Sequence, residues 1–485
     1  MNTFLFFEYL DSIMNQKRFF TLHMNFKYLF TSLLLPFYGF ANLTLPAFFS
    51  SSMVLQQNST VKIWGSGKTS EPISITTSWN QKKYTSKVDV YGKWTMEIET
   101  PIYGGPYEIK ISGYNEIVLK DILIGEVWVV SGQSNMEWSA ASGIENAEAE
   151  VQKANFPELR LFTVNHSTAN SPQNNLSGDW KICTPESMRN FSAIGYYFAK
   201  HIYESIQVPV GIINTSWGGT PAEAWTPEES IKADAVLLKD ALSLKEVPWG
   251  PVKTAVIYNA MVAPLAGLKI KGFLWYQGES NVSNAAHYDK LLNTLINSWR
   301  KAWGEELPFY YVQIAPYKYG NPEEGVVLRN AQRMAENTST TAMVTISDIG
   351  NIDDIHPRNK KDVGIRLGNA ALKNLYSAYK GEISGPKLLL YESKKGQITL
   401  FFDTQELKCD KNCMNNFEIA DTSGEFRKAS VRIKSNTIVL TNSKISYPVF
   451  ARFEWNNTAE ASLKNNQGLP ASAFITDNWW QFKNY

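Results

Sequence analysis

Cysteine is scarce, with three in 485 residues, so stability cannot come from a disulfide framework. Cys409 and Cys413 are close enough for a small loop bridge, while Cys183 has no evident partner. No Cys–His cluster occurs, which argues against a structural zinc site; neither a metal nor an organic cofactor is expected. Net charge is also lacking: 47 Lys and Arg against 46 Asp and Glu leave +1. Such a chain has no overall field to gather nucleic acid or an anionic membrane. Charged residues make up 19%, below the roughly 25% of ordinary globular proteins. Long apolar runs are missing as well. The run from Tyr28 to Phe40 falls short of the ~20 residues that span a bilayer.

That run has a different reading. From Met24 the chain carries Lys27, then the apolar stretch, then Ala41 before a polar break, which is the layout of a secretory signal. Residues 1–23 read as an upstream extension, with Met24 as the alternative start. The mature chain is therefore expected to be exported without a membrane span, to periplasm, medium or lysosome according to host. Aromatics are plentiful at 13%, including 15 Trp and 23 Tyr. They suit a β-rich, sugar-handling secreted protein and equally the filling of several cores.

Three textures follow one another. Over 42–120, Val61-Lys62-Ile63-Trp64, Ile73-Ser74-Ile75 and Ile109-Lys110-Ile111 alternate apolar with polar between Gly, Pro and Asn, predicting a small β-sandwich. Over 121–384 the apolar runs become continuous, as buried parallel strands require: Val127–Val130, Val210–Ile213, Gly272–Tyr276, Phe309–Val312 and Ala342–Ile346. Helical patterns separate them at Ile194–Ile206, Tyr288–Trp303 and Asp362–Tyr379, which predicts an α/β sheet with helices on both faces. Over 385–485 strand-and-turn alternation returns in Ile398–Phe402 and Ile438–Leu440, predicting a second β module that closes with a Trp479-Trp480 pair.

In an open α/β sheet, ligands bind beyond the carboxyl ends of the strands, and four strand ends here carry polar loops. Ser131-Gly132-Gln133-Ser134-Asn135-Met136 follows the first run. Asn214-Thr215-Ser216-Trp217-Gly218-Gly219-Thr220 follows the second, Gln277-Gly278-Glu279-Ser280-Asn281 the third, and Ser347-Asp348 with Asp353-Asp354-Ile355-His356-Pro357 the fifth. A serine needs an adjacent base to be nucleophilic at neutral pH. Of five histidines, His23 falls in the leader, His201 and His287 lie in or beside helical patterns, and His166 has no acidic neighbour in sequence. His356 alone combines a strand-end loop with nearby carboxylates. Ser134 and His356 are thus the expected nucleophile and base. Asp353 is the preferred orienter of His356; Asp354 or a backbone carbonyl are the alternatives.

These blocks resemble the sialate O-acetylesterase family of the SGNH hydrolases. Met53-Val54-Leu55-Gln56-Gln57, Tyr258-Asn259-Ala260-Met261 and Gly468-Leu469-Pro470-Ala471-Ser472 fit it too, so the likeness spans nearly the whole mature chain. The resemblance implies a flavodoxin-like α/β domain and hydrolysis of acetyl esters on sialic acid or other acetylated sugars. Ser134 corresponds to its nucleophile and His356 to its base. One departure stands out: where the wider superfamily has Gly-x-Asn-Asp, this chain has Gly278-Glu279-Ser280-Asn281. The oxyanion hole is then expected from the amides of Ser134 and Gly219 (or Gly218), with Gln277 or Asn281 adding a side chain and Gln277 preferred.

Gln133, Glu279 and Asn281 are further substrate-side candidates. Arg358 is the nearest guanidinium for a sugar carboxylate, with Arg329 and Arg366 behind it. Trp138 and Trp217 flank the catalytic loops and could stack on a sugar ring. Acetylated xylan is the rival substrate. A non-catalytic sugar-binding protein is the rival class, which leaves a nucleophile–base pair without purpose.

Overall fold

The computed structural model describes residues 42–476; the leader read over residues 1–41 and the Trp479-Trp480 pair lie outside them. At the centre is a seven-stranded sheet. Its strands, in chain order, are β1 (Glu116–Gly132), β2 (Phe156–Val164), β3 (Gly178–Cys183), β4 (Val210–Ser216), β5 (Gly272–Tyr276), β6 (Phe309–Val312) and β7 (Thr341–Val344). The spatial order is β7-β6-β5-β1-β4-β2-β3. All neighbours run parallel except β2 and β3, an antiparallel edge. β2 and β3 lie outside the runs predicted from sequence. Phe156–Val164 mixes Glu158 and Arg160 into its apolar residues, and an edge hairpin needs no continuous buried run.

Side chains of β4 and β5 are buried throughout, which is why those segments read as unbroken apolar runs. Helix α1 (Ser134–Glu137) follows β1. Helices α2 (Ala193–Ile206) and α5 (Lys360–Asn374) pack on each other, as do α3 (Tyr288–Trp303) and α4 (Glu324–Ala335).

The expected boundary at residues 120 and 121 is not a linker. It falls inside β1, a single strand of 17 residues. The first part of β1 pairs with Gly104–Ser112 in an antiparallel N-terminal sheet, and its last residues pair with β4 and β5. The change of texture in the sequence is thus one strand passing from a half-solvated sheet into a fully covered one. Ile63, Ile98 and Ile111 from the N-terminal strands share one continuous core with Val129 and Ile213. The C-terminal module has a core of its own, including Ile398, Leu400, Phe417 and Phe453. It also carries the Cys409–Cys413 disulfide. Cys183 is buried and free, its thiol pushed up to about 12 mainly by burial.

Register sets the site. Gly132 of β1 is level with Ser216 of β4 and with Tyr276 of β5. The loops leaving these three strands therefore emerge side by side at one height.

Candidate active site

The turn after β1 depends on a glycine. Gly132 has φ +136°, and a Cβ there would stand 2.0 Å from the Tyr276 carbonyl oxygen. Past it the chain turns at once into α1, placing Ser134 half-buried at the sheet end. The loop before α5 brings His356 over it, and His356 Nε2 lies 2.9 Å from Ser134 Oγ. The two residues are 222 apart in the chain.

The imidazole is held by packing. Trp138 stacks on it with ring centroids 4.7 Å apart and planes 16° from parallel. Trp138, a candidate equally for stacking on a sugar ring and for packing, is therefore committed to the histidine. Asp353 does not orient His356: its side chain is exposed and pairs with Lys318. In the turn Asn351–His356, successive side chains diverge. Asp354, rather than Asp353, folds back so that its Oδ1 accepts the His356 backbone N–H at 2.9 Å. Burial lowers the His356 pKa, the charge of Lys360 lowers it further, and Asp354 opposes both.

Beneath the pair runs a buried polar chain. Asn135 Nδ2 donates to Glu279 Oε1 at 2.5 Å and to the Ile355 carbonyl at 3.0 Å. Its Oδ1 accepts from Lys360 Nζ. Lys360 is 1% exposed and lies over the rings of Trp138 and Tyr276. Burial drives Lys360 down to about 7 and Glu279 up to about 7. Glu279 Oε2 is buried without a partner, and burial shifts the carboxyl toward its protonated form, which tolerates this better than a carboxylate. Glu279 thus braces Asn135 instead of reaching outward. Lys360 was not singled out from the sequence. Its one signal is its place four residues after His356, at the start of an amphipathic helix capped by Asn359.

The second loop is fastened from below. Gly218 N donates to Glu137 Oε2 at 2.7 Å. Glu137 Oε1 pairs with His166 Nε2 at 2.9 Å, which raises the His166 pKa. His166 stacks flat on Trp217, centroids 4.3 Å apart. The acidic partner of His166 is thus supplied by the fold, and Trp217 is covered on that face by the histidine. The Gly218 amide is occupied. Among the described residues, the backbone amides of Ser134 and Gly219 have no acceptor.

Three candidates prove to be framework. Gln277 is fully buried, donating to Asn281 Oδ1 at 2.7 Å and to the Thr220 carbonyl at 3.2 Å, while its Oε1 accepts from Tyr288 at 2.7 Å. With both ends engaged it cannot turn to an oxyanion, so the expected side-chain donor is absent. Asn281 is likewise committed, accepting from Ala222 N at 2.9 Å and donating to Glu223 at 2.8 Å. Gln133 Oε1 accepts from the amides of Gly278 and Ser280, at 3.4 and 3.2 Å. The Ser in place of the superfamily's Asn is thus accompanied by amide side chains that knit loops together. Arg329 is buried on the carbonyls of Asn456 and Asn457, and Arg366 pairs with Asp348. Arg358 stays exposed.

A serine and a histidine in contact over the carboxyl end of a largely parallel sheet, with extra antiparallel sheets on either side, is the architecture of SGNH-type carbohydrate esterases. The family model described as "Carbohydrate esterase, sialic acid-specific acetylesterase" matches residues 124–373. The chain belongs to that family, and it is a carbohydrate esterase. It is 30% identical to the sialate O-acetylesterase of Homo sapiens over 488 residues, covering 89% of this chain and 92% of the relative. Identity to the Pongo abelii sialate O-acetylesterase is 29% over 489 residues, with the same two coverages. Among solved structures, a carbohydrate acetylesterase from Xanthomonas citri superposes with a TM-score of 0.82 at 33% identity, covering 90% of this chain and all of that one.

Proposed function

We propose that this esterase releases acetate from O-acetylated sialic acid through an acetyl-enzyme on Ser134, with His356 as general base. The observation that carries the reading is the 2.9 Å contact between His356 Nε2 and Ser134 Oγ. The lowered pKa of His356 keeps it neutral near pH 7, as a base must be. His356 takes the Ser134 proton as Oγ attacks the acetyl carbonyl carbon. The oxyanion is met by the free amides of Ser134 and Gly219, each such donor contributing about 2.7–4 kcal/mol in comparable hydrolases. The sugar alkoxide departs with the proton from His356. Water, deprotonated by the same imidazole, then frees acetate and restores Ser134. Asp354 supplies the negative charge that favours the transient imidazolium. The relatives named sialate O-acetylesterases support the choice of substrate.

The test is acetate release from O-acetylated sialic acid and from acetylated xylan, with the Ser134→Ala variant alongside. Turnover of the sialic acid ester falling by about four orders of magnitude or more in the variant is expected. Undiminished release from that variant sinks the mechanism, and a preference for xylan changes the substrate.

We propose also that the protein is exported. The Tyr28–Phe40 run with Lys27 before it supports this, and the Cys409–Cys413 disulfide suits an oxidising compartment. A mature N-terminus found by mass spectrometry near residue 42 in the exported fraction is the expected result; a full-length cytoplasmic product refutes it.

A further inference from the structure

Beside Gly219, away from His356, lies a pocket of about 400 Å³ that the steps above do not use. One wall is the 243–252 loop, pinched by a bridge between Val247 and Gly250 that presents Trp249. Ser280, Ser283 and Asn284 also line the pocket. Trp249 is 66% exposed, so a face of its indole is open to a ligand. Its ring also sits hard against the oxyanion-side loop. A Cβ added at Gly219, where φ is +70°, would stand 2.1 Å from Trp249 Cδ1. A Cβ added at the neighbouring Gly218 would stand 3.3 Å from Ser134 Cβ. The pocket therefore begins two residues from the nucleophile.

Its lining combines an aromatic face with the hydroxyls of Ser280 and Ser283, the pairing that receives a pyranose ring, while the Asn284 amide is held by Glu223 and Asn281. Lys245 is the one charged residue among those lining it, and no ion pair within the described residues neutralises it. Resting on the acetyl-sugar reading above, we infer that this pocket holds the ester-bearing ring of an acidic sugar, with Trp249 under its face and Lys245 on its carboxylate. The assignment differs from the one drawn from sequence order, which pointed to Arg358. Position explains the difference: Arg358 follows His356, whereas the pocket opens on the Gly219 side.

Binding is measured calorimetrically on the Ser134→Ala protein, so that success or failure of the catalytic reading does not enter. The probes are N-acetylneuraminic acid, its methyl ester and xylobiose. The acid is expected to bind about fivefold more tightly than the methyl ester, the scale of one exposed ion pair. Adding Lys245→Gln brings the acid down to the level of the ester and leaves the ester where it was. Adding Trp249→Ala weakens both by about tenfold, as loss of a ring contact does. Equal binding of acid and methyl ester overturns the role of Lys245, as does an equal loss for both in Lys245→Gln. Unchanged binding in Trp249→Ala, or xylobiose binding as tightly as the acid, overturns the pocket assignment.

Discussion

Lys360 places a buried positive charge near His356, the proposed base, and its removal has a calculable effect. Its Nζ lies 5.4 Å from the Trp138 ring, whose centroid is 4.7 Å from that of His356. The two groups are therefore no more than roughly 10 Å apart. A full charge at that separation contributes about 1.7 kcal/mol at an effective dielectric of about 20, or about one pH unit. With its pKa near 7, Lys360 is mostly charged across the acid limb, so nearly all of this applies there. The charge favours neutral His356, and losing it raises the His356 pKa. The acid limb of kcat/KM for p-nitrophenyl acetate in Lys360→Met should accordingly move up by about one pH unit. Glu279, also near 7, is protonated in that range, so the substitution strands no carboxylate. Thermal unfolding at pH 5.5 verifies that the variant is folded. An acid limb that stays put, or moves down, refutes the electrostatic link between Lys360 and His356.

Asp354 acts with the opposite sign. Asp354→Asn keeps an acceptor for the His356 N–H but removes a charge that favours imidazolium, so the same limb should move to lower pH. Asp353→Asn breaks only an exposed pair with Lys318, and kcat/KM should stay within about twofold of the parent; a larger loss than in Asp354→Asn would reverse the assignment. Gln277→Ala removes the side-chain acceptor of the Tyr288 hydroxyl and a donor to Asn281 in the buried interior. It should cost about 2–3 kcal/mol in urea unfolding, and a stable but slow enzyme would instead mark Gln277 as an oxyanion donor.

Ser134 and His356 could be read from the chain because each sits where a buried strand ends, and buried strands announce themselves by continuous apolar runs. The same rule located the Gly218-Gly219 loop. What failed was direction. Whether Asp353 or Asp354 folds back is decided by a few backbone angles in one turn, and whether Gln277 faces solvent or Tyr288 depends on how the next helix docks. The α4 helix went unread because Arg329, Asn330 and Gln332 interrupt its apolar pattern, yet these are the residues buried there as hydrogen-bonding struts. Lys360 and the His166–Glu137 pair join distant segments, and spacing in sequence carries no trace of such partnerships. Trp249 stood in a polar stretch with no periodicity, where only the fold reveals what it faces.

β1 belongs to two sheets at once, and Ser134 follows directly from its far end. The N-terminal strands are thus continuous with the turn that carries Ser134, not an appended module. Pulling or shearing one sheet loads the other along a single covalent backbone, which bends at Asp121, where φ is +57°. The register at Gly132 is held by β4 and β5, whereas the first part of the same strand is held by the N-terminal sheet. Shortening the chain to its α/β portion would therefore cut through the strand that leads into Ser134.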